Sequence, residues 1–185
     1  MKIAIFGGSF DPPHIGHEEI VHKIIKQIEI DKVVVVPTFL NPFKDNFHFK
    51  PSRRFKFIRA LFKGNKKVKV SDFEIKQDRP VPTIETVNHL KVKYNTSTIY
   101  LIIGADNLEK LHLWNNFDEL NSLVKFIVIA RDGYEVKNDI IQFKKIDMNI
   151  DISSTSLRKN LELRYIPKKI EQKVSQLWKK ESKEL

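Results

Sequence analysis

Two histidines, His14 and His17, stand three residues apart with Gly16 between them. They close the string Gly7-Gly8-Ser9-Phe10-Asp11-Pro12-Pro13-His14-Ile15-Gly16-His17. An imidazole can donate a hydrogen bond to an anion near neutral pH whether or not it is charged. The string follows Lys2 to Phe6, whose Ile3-Ala4-Ile5-Phe6 reads as a buried strand, and precedes a helical pattern at Ile20, Ile24, Ile25 and Ile28. A strand, a glycine turn and a helix start together make an anion site. Glycine lets the backbone approach a phosphate, and the first turn of a helix offers N–H groups and a positive dipole end. Gly16 removes a side chain where a base or ribose can lie against the helix. A P-loop needs a Gly-Lys-Ser/Thr end, which is missing, and G-x-G-x-x-G does not occur either. The spacing of Asp11, His14 and His17 would also serve a divalent ion, but no second ligand cluster accompanies it.

Further groups with chemical potential lie far along the chain. Ser153-Ser154-Thr155 precede a helical stretch with Arg158 one turn inside it, which makes a second anion cradle or a plain helix cap. Lys44 ends the proline-framed stretch Pro37 to Lys44 and can meet a phosphate. Gly104-Ala105-Asp106 follows an apolar run, with Trp114 eight residues beyond Asp106. The aspartate can accept hydrogen bonds from ribose or a ring nitrogen, and the indole offers a flat face to a heteroaromatic ring. Arg131 follows Ile127-Val128-Ile129-Ala130 and can contact phosphate.

Alternating strands and helices position these groups. Strands are expected at Lys32–Val36, Lys67–Ser71, Ser97–Ile103 and Lys125–Ala130, with a short one near Lys145–Ile146. Helices are expected at Pro51–Lys63, with Phe55, Ile58, Leu61 and Phe62 on one face, and at Thr83–Tyr94, with Thr83 as cap. The end reads as helical from Ser154 and again from Pro167, with Ile170, Val174 and Leu177 in register. Near-continuous apolar strands in such alternation imply a mainly parallel, doubly wound sheet covered on both faces. Ligands then bind where strands end. That rule selects Gly7–His17, Pro37–Lys44, Gly104–Asp106 and Arg131–Gly133.

The 185 residues suit one domain with a C-terminal helical extension from about residue 154. No cysteine is present, so disulfides and thiolate metal sites are excluded. No secretory leader or membrane span is legible, which points to a cytoplasmic enzyme without a membrane partner. The formal charge of +10 comes mostly from dispersed lysines and suits steering of polyanionic small substrates. No helix-turn-helix, RNA-recognition or zinc-finger pattern accompanies it, so no nucleic-acid partner is expected.

The first string, with its H-x-G-H end, resembles the hallmark of the nucleotidyltransferase superfamily. Ser-Ser-Thr-x-x-Arg, at Ser153 to Arg158, resembles the signature that closes the triphosphate site there. Both strings, the lysine loop, Gly-Ala-Asp with its tryptophan and the arginine after the fifth strand occur in order. Together they resemble the bacterial nicotinate-nucleotide adenylyltransferase family. That resemblance implies a Rossmann-like fold and transfer of AMP from ATP to nicotinate mononucleotide, with release of pyrophosphate and a need for Mg2+. The product would be nicotinic acid adenine dinucleotide, in NAD biosynthesis. It also implies residue roles. Gly7, Gly8, Ser9, Phe10, His14, His17, Gly104, Asp106, Arg131, Ser154, Thr155 and Arg158 would hold ATP, with His14, His17 and Arg158 acting in catalysis. Gly8, Ser9, Lys44, Thr83 and Trp114 would hold the mononucleotide. Family members often carry Pro-Ser-Tyr-Thr before the third helix, where this chain has Pro80-Val81-Pro82-Thr83, so the tyrosine wall is missing.

Phosphopantetheine adenylyltransferases share the first motif, but they are typically shorter and account less well for Gly-Ala-Asp with Trp114; cytidylyltransferases also share H-x-G-H. A basic nucleic-acid-binding module would use the charge without the histidines. A homodimer is left open.

Overall fold

The computed structural model describes residues 1–40, 46–131, 139–148 and 152–181, the side chains of Arg131 and Glu181 excepted. Six strands form one all-parallel sheet: β1 (Lys2–Gly8), β2 (Lys32–Pro37), β3 (Val68–Val70), β4 (Thr98–Gly104), β5 (Lys125–Arg131) and β6 (Phe143–Met148). Their order is β3-β2-β1-β4-β5-β6, so the winding reverses between β1 and β4. The crevice beyond those two strand ends is where an open α/β sheet takes its ligand. Gly7, Gly8 and Gly104 stand there.

Alternation along the strands feeds two cores. Ala4, Phe6, Val33 and Val35 belong to one; Ile3, Ile5, Val34, Val36, Leu101 and Ile103 belong to the other. The first is covered by α1 (Ile15–Gln27), α2 (Pro51–Leu61) and the last helix, through residues such as Ile24, Ile58 and Val174. The second is covered by α4 (Thr83–Tyr94) and α5 (Phe117–Leu123), through Val87, Leu90 and Leu120. Between β3 and α4 lies the single turn α3 (Phe73–Lys76). The chain closes with α6 (Ser154–Lys159) and α7 (Lys168–Glu181), and α7 packs on α2.

Several expectations are corrected. The helix expected to reach Lys63 ends at Leu61, and its core face holds Arg54, Phe57, Ile58 and Leu61, while Phe55 is only half-buried. Ile58, Leu61 and Phe62 are buried as expected, and the buried Arg54 and Phe57 widen the inward face on the side away from Phe55. Thr83 is the first helical residue of α4 and not its cap, because Pro82, with φ −59° and ψ 141°, occupies the cap position. The strand near Lys145 extends over six residues. The 3₁₀ segment Ala105–Leu113 and α5 were not anticipated.

Candidate active site

The H-x-G-H string folds back on itself at the start of α1. The backbone N–H of His14 donates to Nδ1 of His17 over 3.1 Å, and the two rings stack with centroids 3.7 Å apart. In the neutral imidazole of His17, Nε2 therefore carries the hydrogen. His14 is buried and His17 half-buried. Gly16 has a different use from the one expected. A Cβ there would stand 3.1 Å from Nδ1 of His14, so the glycine makes room for that histidine's ring. Phe10, also expected at the ligand, buries its ring edge-on against Phe6 and His17. Its φ of 49° lies in the left-handed region, held by that packing. Of Phe10, only backbone is left to meet a ligand. A Cβ at Gly7 would meet nothing within 4 Å, so this strand end is open to one.

Asp11 is buried, and its carboxylate accepts from the backbone N–H groups of His48 and Phe49, each at 2.8 Å. With both oxygens so engaged and the imidazoles stacked on each other, Asp11, His14 and His17 do not converge as a metal triad. No group of three or more potential metal-ligating side chains occurs among the described residues. Arg54, which is 1% exposed, donates to the carbonyls of Ser9 (2.6 Å), Phe39 (2.7 Å) and Phe49 (3.0 Å). It ties the β1 turn to the segment after β2. Burial pulls its guanidinium below the usual arginine range, against the attraction of Asp11 and Glu74.

The distant hydroxyl string docks onto the first motif. Ser153 caps α6, its hydroxyl accepting from the N–H of Ser156 at 3.1 Å. Ser154 donates to the carbonyl of Pro12 at 3.0 Å. Arg158 donates to the carbonyl of Asp11 at 3.0 Å and to the Thr155 hydroxyl at 2.9 Å. Packing thus joins segments more than 140 residues apart, as the rule of strand-end loops requires.

Beyond β1, β2 and β4 opens a cavity of about 490 Å³. Gly7, Gly8, Gly104, Thr83 and Trp114 line it together, with Thr38, Glu74, Thr86 and Asn107. Asp106 is exposed and lies outside that lining, although its carboxylate would collide with any Cβ at Gly104. Glu74 is buried and accepts from the Thr86 hydroxyl at 2.7 Å; burial pushes its carboxyl up to about 7. Lys44 and the side chain of Arg131 fall outside the described residues.

Sequence reasoning missed Arg54, Glu74, Asn107 and the scaffold role of Asp11. For Arg54 the available signal was a charge on the core face of an amphipathic helix. For Glu74, in a single helical turn, no periodic signal existed.

The Rossmann-like sheet, the stacked H-x-G-H histidines and the docked hydroxyl string define a nucleotidyltransferase. A Cytidylyltransferase-like family model accordingly matches residues 5–160. Among similar proteins, a "Probable nicotinate-nucleotide adenylyltransferase" of Sulfurimonas denitrificans is 50% identical over 97% of this chain and 96% of its own. One of Aliarcobacter butzleri bearing the same name is 44% identical, over 96% and 97%. The chain belongs to the nicotinate-nucleotide adenylyltransferase family. In fold it is similar to Plasmodium falciparum nicotinic acid mononucleotide adenylyltransferase complexed with NaAD, with TM-score 0.75, 23% identity and 95% coverage of both chains.

Proposed function

We propose that this chain, as one nucleotidyltransferase domain, transfers AMP from ATP to nicotinate mononucleotide, yielding nicotinic acid adenine dinucleotide and pyrophosphate. The observation that carries this reading is the cavity itself. It brings the strand-end glycines, the first turn of α4 at Thr83 and Trp114 around one space, which is also lined by Phe6, whose ring centroid lies 6.0 Å from that of His17. A pyridine ring fits against the indole, and its carboxylate against the amides at the start of α4.

In the reaction, a phosphate oxygen of the mononucleotide attacks the α-phosphorus of ATP. A new P–O bond forms as the bond to the bridging oxygen breaks, and pyrophosphate leaves with the electron pair. The attacking oxygen is already ionised, so no protein nucleophile is needed. The protein positions both phosphates and meets the charge that moves toward the leaving group. His17 donates through Nε2. Arg158, braced by Asp11 and Thr155, adds a positive charge beside the same loop. Gly7, Gly8, Ser9 and the backbone of Phe10 bend around the nucleotides. Ser154 and Thr155 hold ATP, and Gly104 and Asp106 its adenosine. Lys44 and Arg131 complete the set of phosphate contacts.

Magnesium enters with ATP as part of the substrate. Both oxygens of Asp11, the carboxylate of the motif, already accept backbone N–H groups. When bound with ATP, the ion would supply charge neutralisation at the phosphates, beside the positive charge of Arg158. No helix among the described residues is long and apolar enough to cross a membrane; we place the enzyme in the cytoplasm.

Pyrophosphate release with purified protein and competing acceptors tests this function. Nicotinate mononucleotide should exceed nicotinamide mononucleotide in kcat/KM by about 10²-fold or more, the scale of one or two mispaired buried donors. Trp114→Ala should weaken both acceptors, and Thr83→Val should narrow the gap. Equal rates would sink the acid-specific assignment; turnover with phosphopantetheine or CTP alone would sink the whole reading.

A further inference from the structure

For a pocket that takes an anion, the acceptor cavity has an unusual wall. Among the described residues, Glu74 is the only ionisable side chain that lines it, and it is acidic. An ionised carboxylate there would repel the ring carboxylate of nicotinate mononucleotide and attract the NH₂ of the nicotinamide form. A neutral carboxyl reverses both effects, because its O–H donates to a carboxylate.

Glu74 is 5% exposed and fixed in place by Thr86, whose hydroxyl donates to Oε1 at 2.7 Å. That leaves Oε2 to carry a hydrogen. Thr86 lies one turn beyond Thr83 on α4, so the carboxyl belongs one turn below the helix start that would receive the ring carboxylate. The charged groups acting on Glu74 are Arg54 of α2, which favours ionisation, and Glu85 of α4, which opposes it. Burial outweighs both and brings the carboxyl to about 7.

We propose that Glu74 is the specificity-determining residue of the acceptor pocket: in its neutral form it donates a hydrogen bond to the carboxylate of nicotinate mononucleotide, and in its ionised form it disfavours that acceptor relative to the amide. This rests on the adenylyltransferase reading above.

The test is the ratio of kcat/KM for the two mononucleotides, measured in competition from about pH 6 to about pH 9, where the ring carboxylate stays ionised. Titrating groups that act on the phosphate and ribose, which both acceptors share, cancel in the ratio. In the wild type the ratio of acid to amide should fall about tenfold per pH unit above about 7, since kcat/KM follows the free enzyme. The change should sit in KM for the acid, with kcat level. Glu74→Gln, whose amide always has an N–H to donate, should give a flat ratio. Thr86→Val removes a hydrogen bond that favours the ionised form, so it should move the break to higher pH. It also decides the matter should Glu74→Gln fail to fold, an unmoved break overturning the role. A flat wild-type ratio, or an unchanged slope in Glu74→Gln, overturns the role of Glu74 alone. Pyrophosphate release with neither acceptor overturns the adenylyltransferase reading together with it.

Discussion

The backbone N–H of His14 donates to Nδ1 of His17, three residues on, and the two rings lie stacked. One histidine thereby sets the tautomer of the other. The bond holds the acceptor nitrogen inward and commits Nε2 to donating, so His17 needs no charge to hydrogen-bond a phosphate oxygen.

His17→Ala should lower kcat by roughly 10²–10³-fold, the cost of one donor aimed at charge that develops in the transition state. The ring also accepts the N–H of His14 and packs against Phe10, so the melt should fall as well, and the rate is compared at a temperature where the mutant is folded. Pyrophosphate release by a folded mutant at the wild-type rate would take His17 out of the mechanism.

Arg158→Lys should cut kcat/KM for ATP by about tenfold or more, the scale of one lost hydrogen bond from a charged group. The guanidinium bonds Asp11 and Thr155 through two nitrogens at once, a fork that an ammonium does not reproduce. The acceptor KM should change less. Steady-state kinetics with ATP varied would reveal an unaltered response if Arg158 were only a helix-surface charge.

Arg54→Met should destabilise the fold by about 3–5 kcal/mol, because it leaves three carbonyls in the interior without their donor. Urea denaturation measures this directly. A loss under about 1 kcal/mol would mean that water or a neighbour replaces the guanidinium.

Glu74 should make stability fall as pH rises. Its carboxyl moves from 4.5 to about 7 on folding, so the native state binds the extra proton between those values. Below 4.5 both states are protonated and the group costs nothing. Above 7 the ionised, buried form carries the full penalty, of the order of 3 kcal/mol. Comparison of wild type with Glu74→Gln by denaturation at pH values on both sides of the window should place the difference at the alkaline side. An identical pH dependence in the two proteins would contradict it.

Much of this arrangement is legible in local patterns. Apolar runs at Ile3 to Phe6, Val33 to Val36 and Ile99 to Ile103 could only be buried strands, and the helical repeats between them forced a parallel sheet. The reversal between β1 and β4, which makes the crevice, is a property of strand order. Strand order depends on long-range pairing that no short window contains.

The residue types of the H-x-G-H and hydroxyl strings, the strand-end glycines and the tryptophan were determined by sequence, because turn and cap chemistry is local and each residue type has few uses there. Side-chain burial was decided only by the tertiary structure. It turned Gly16 into space for His14, sent Phe10 into the core, set Phe57 inward in place of Phe55, and took up both oxygens of Asp11 with backbone donors. Arg54 and Glu74 acquire their meaning in the same way. A buried charge or carboxyl is defined by the groups that surround it, here contributed by β1, α2, α3 and α4 across the fold. The free energy of ionising such a group depends on that surrounding desolvation, which chain order alone does not specify.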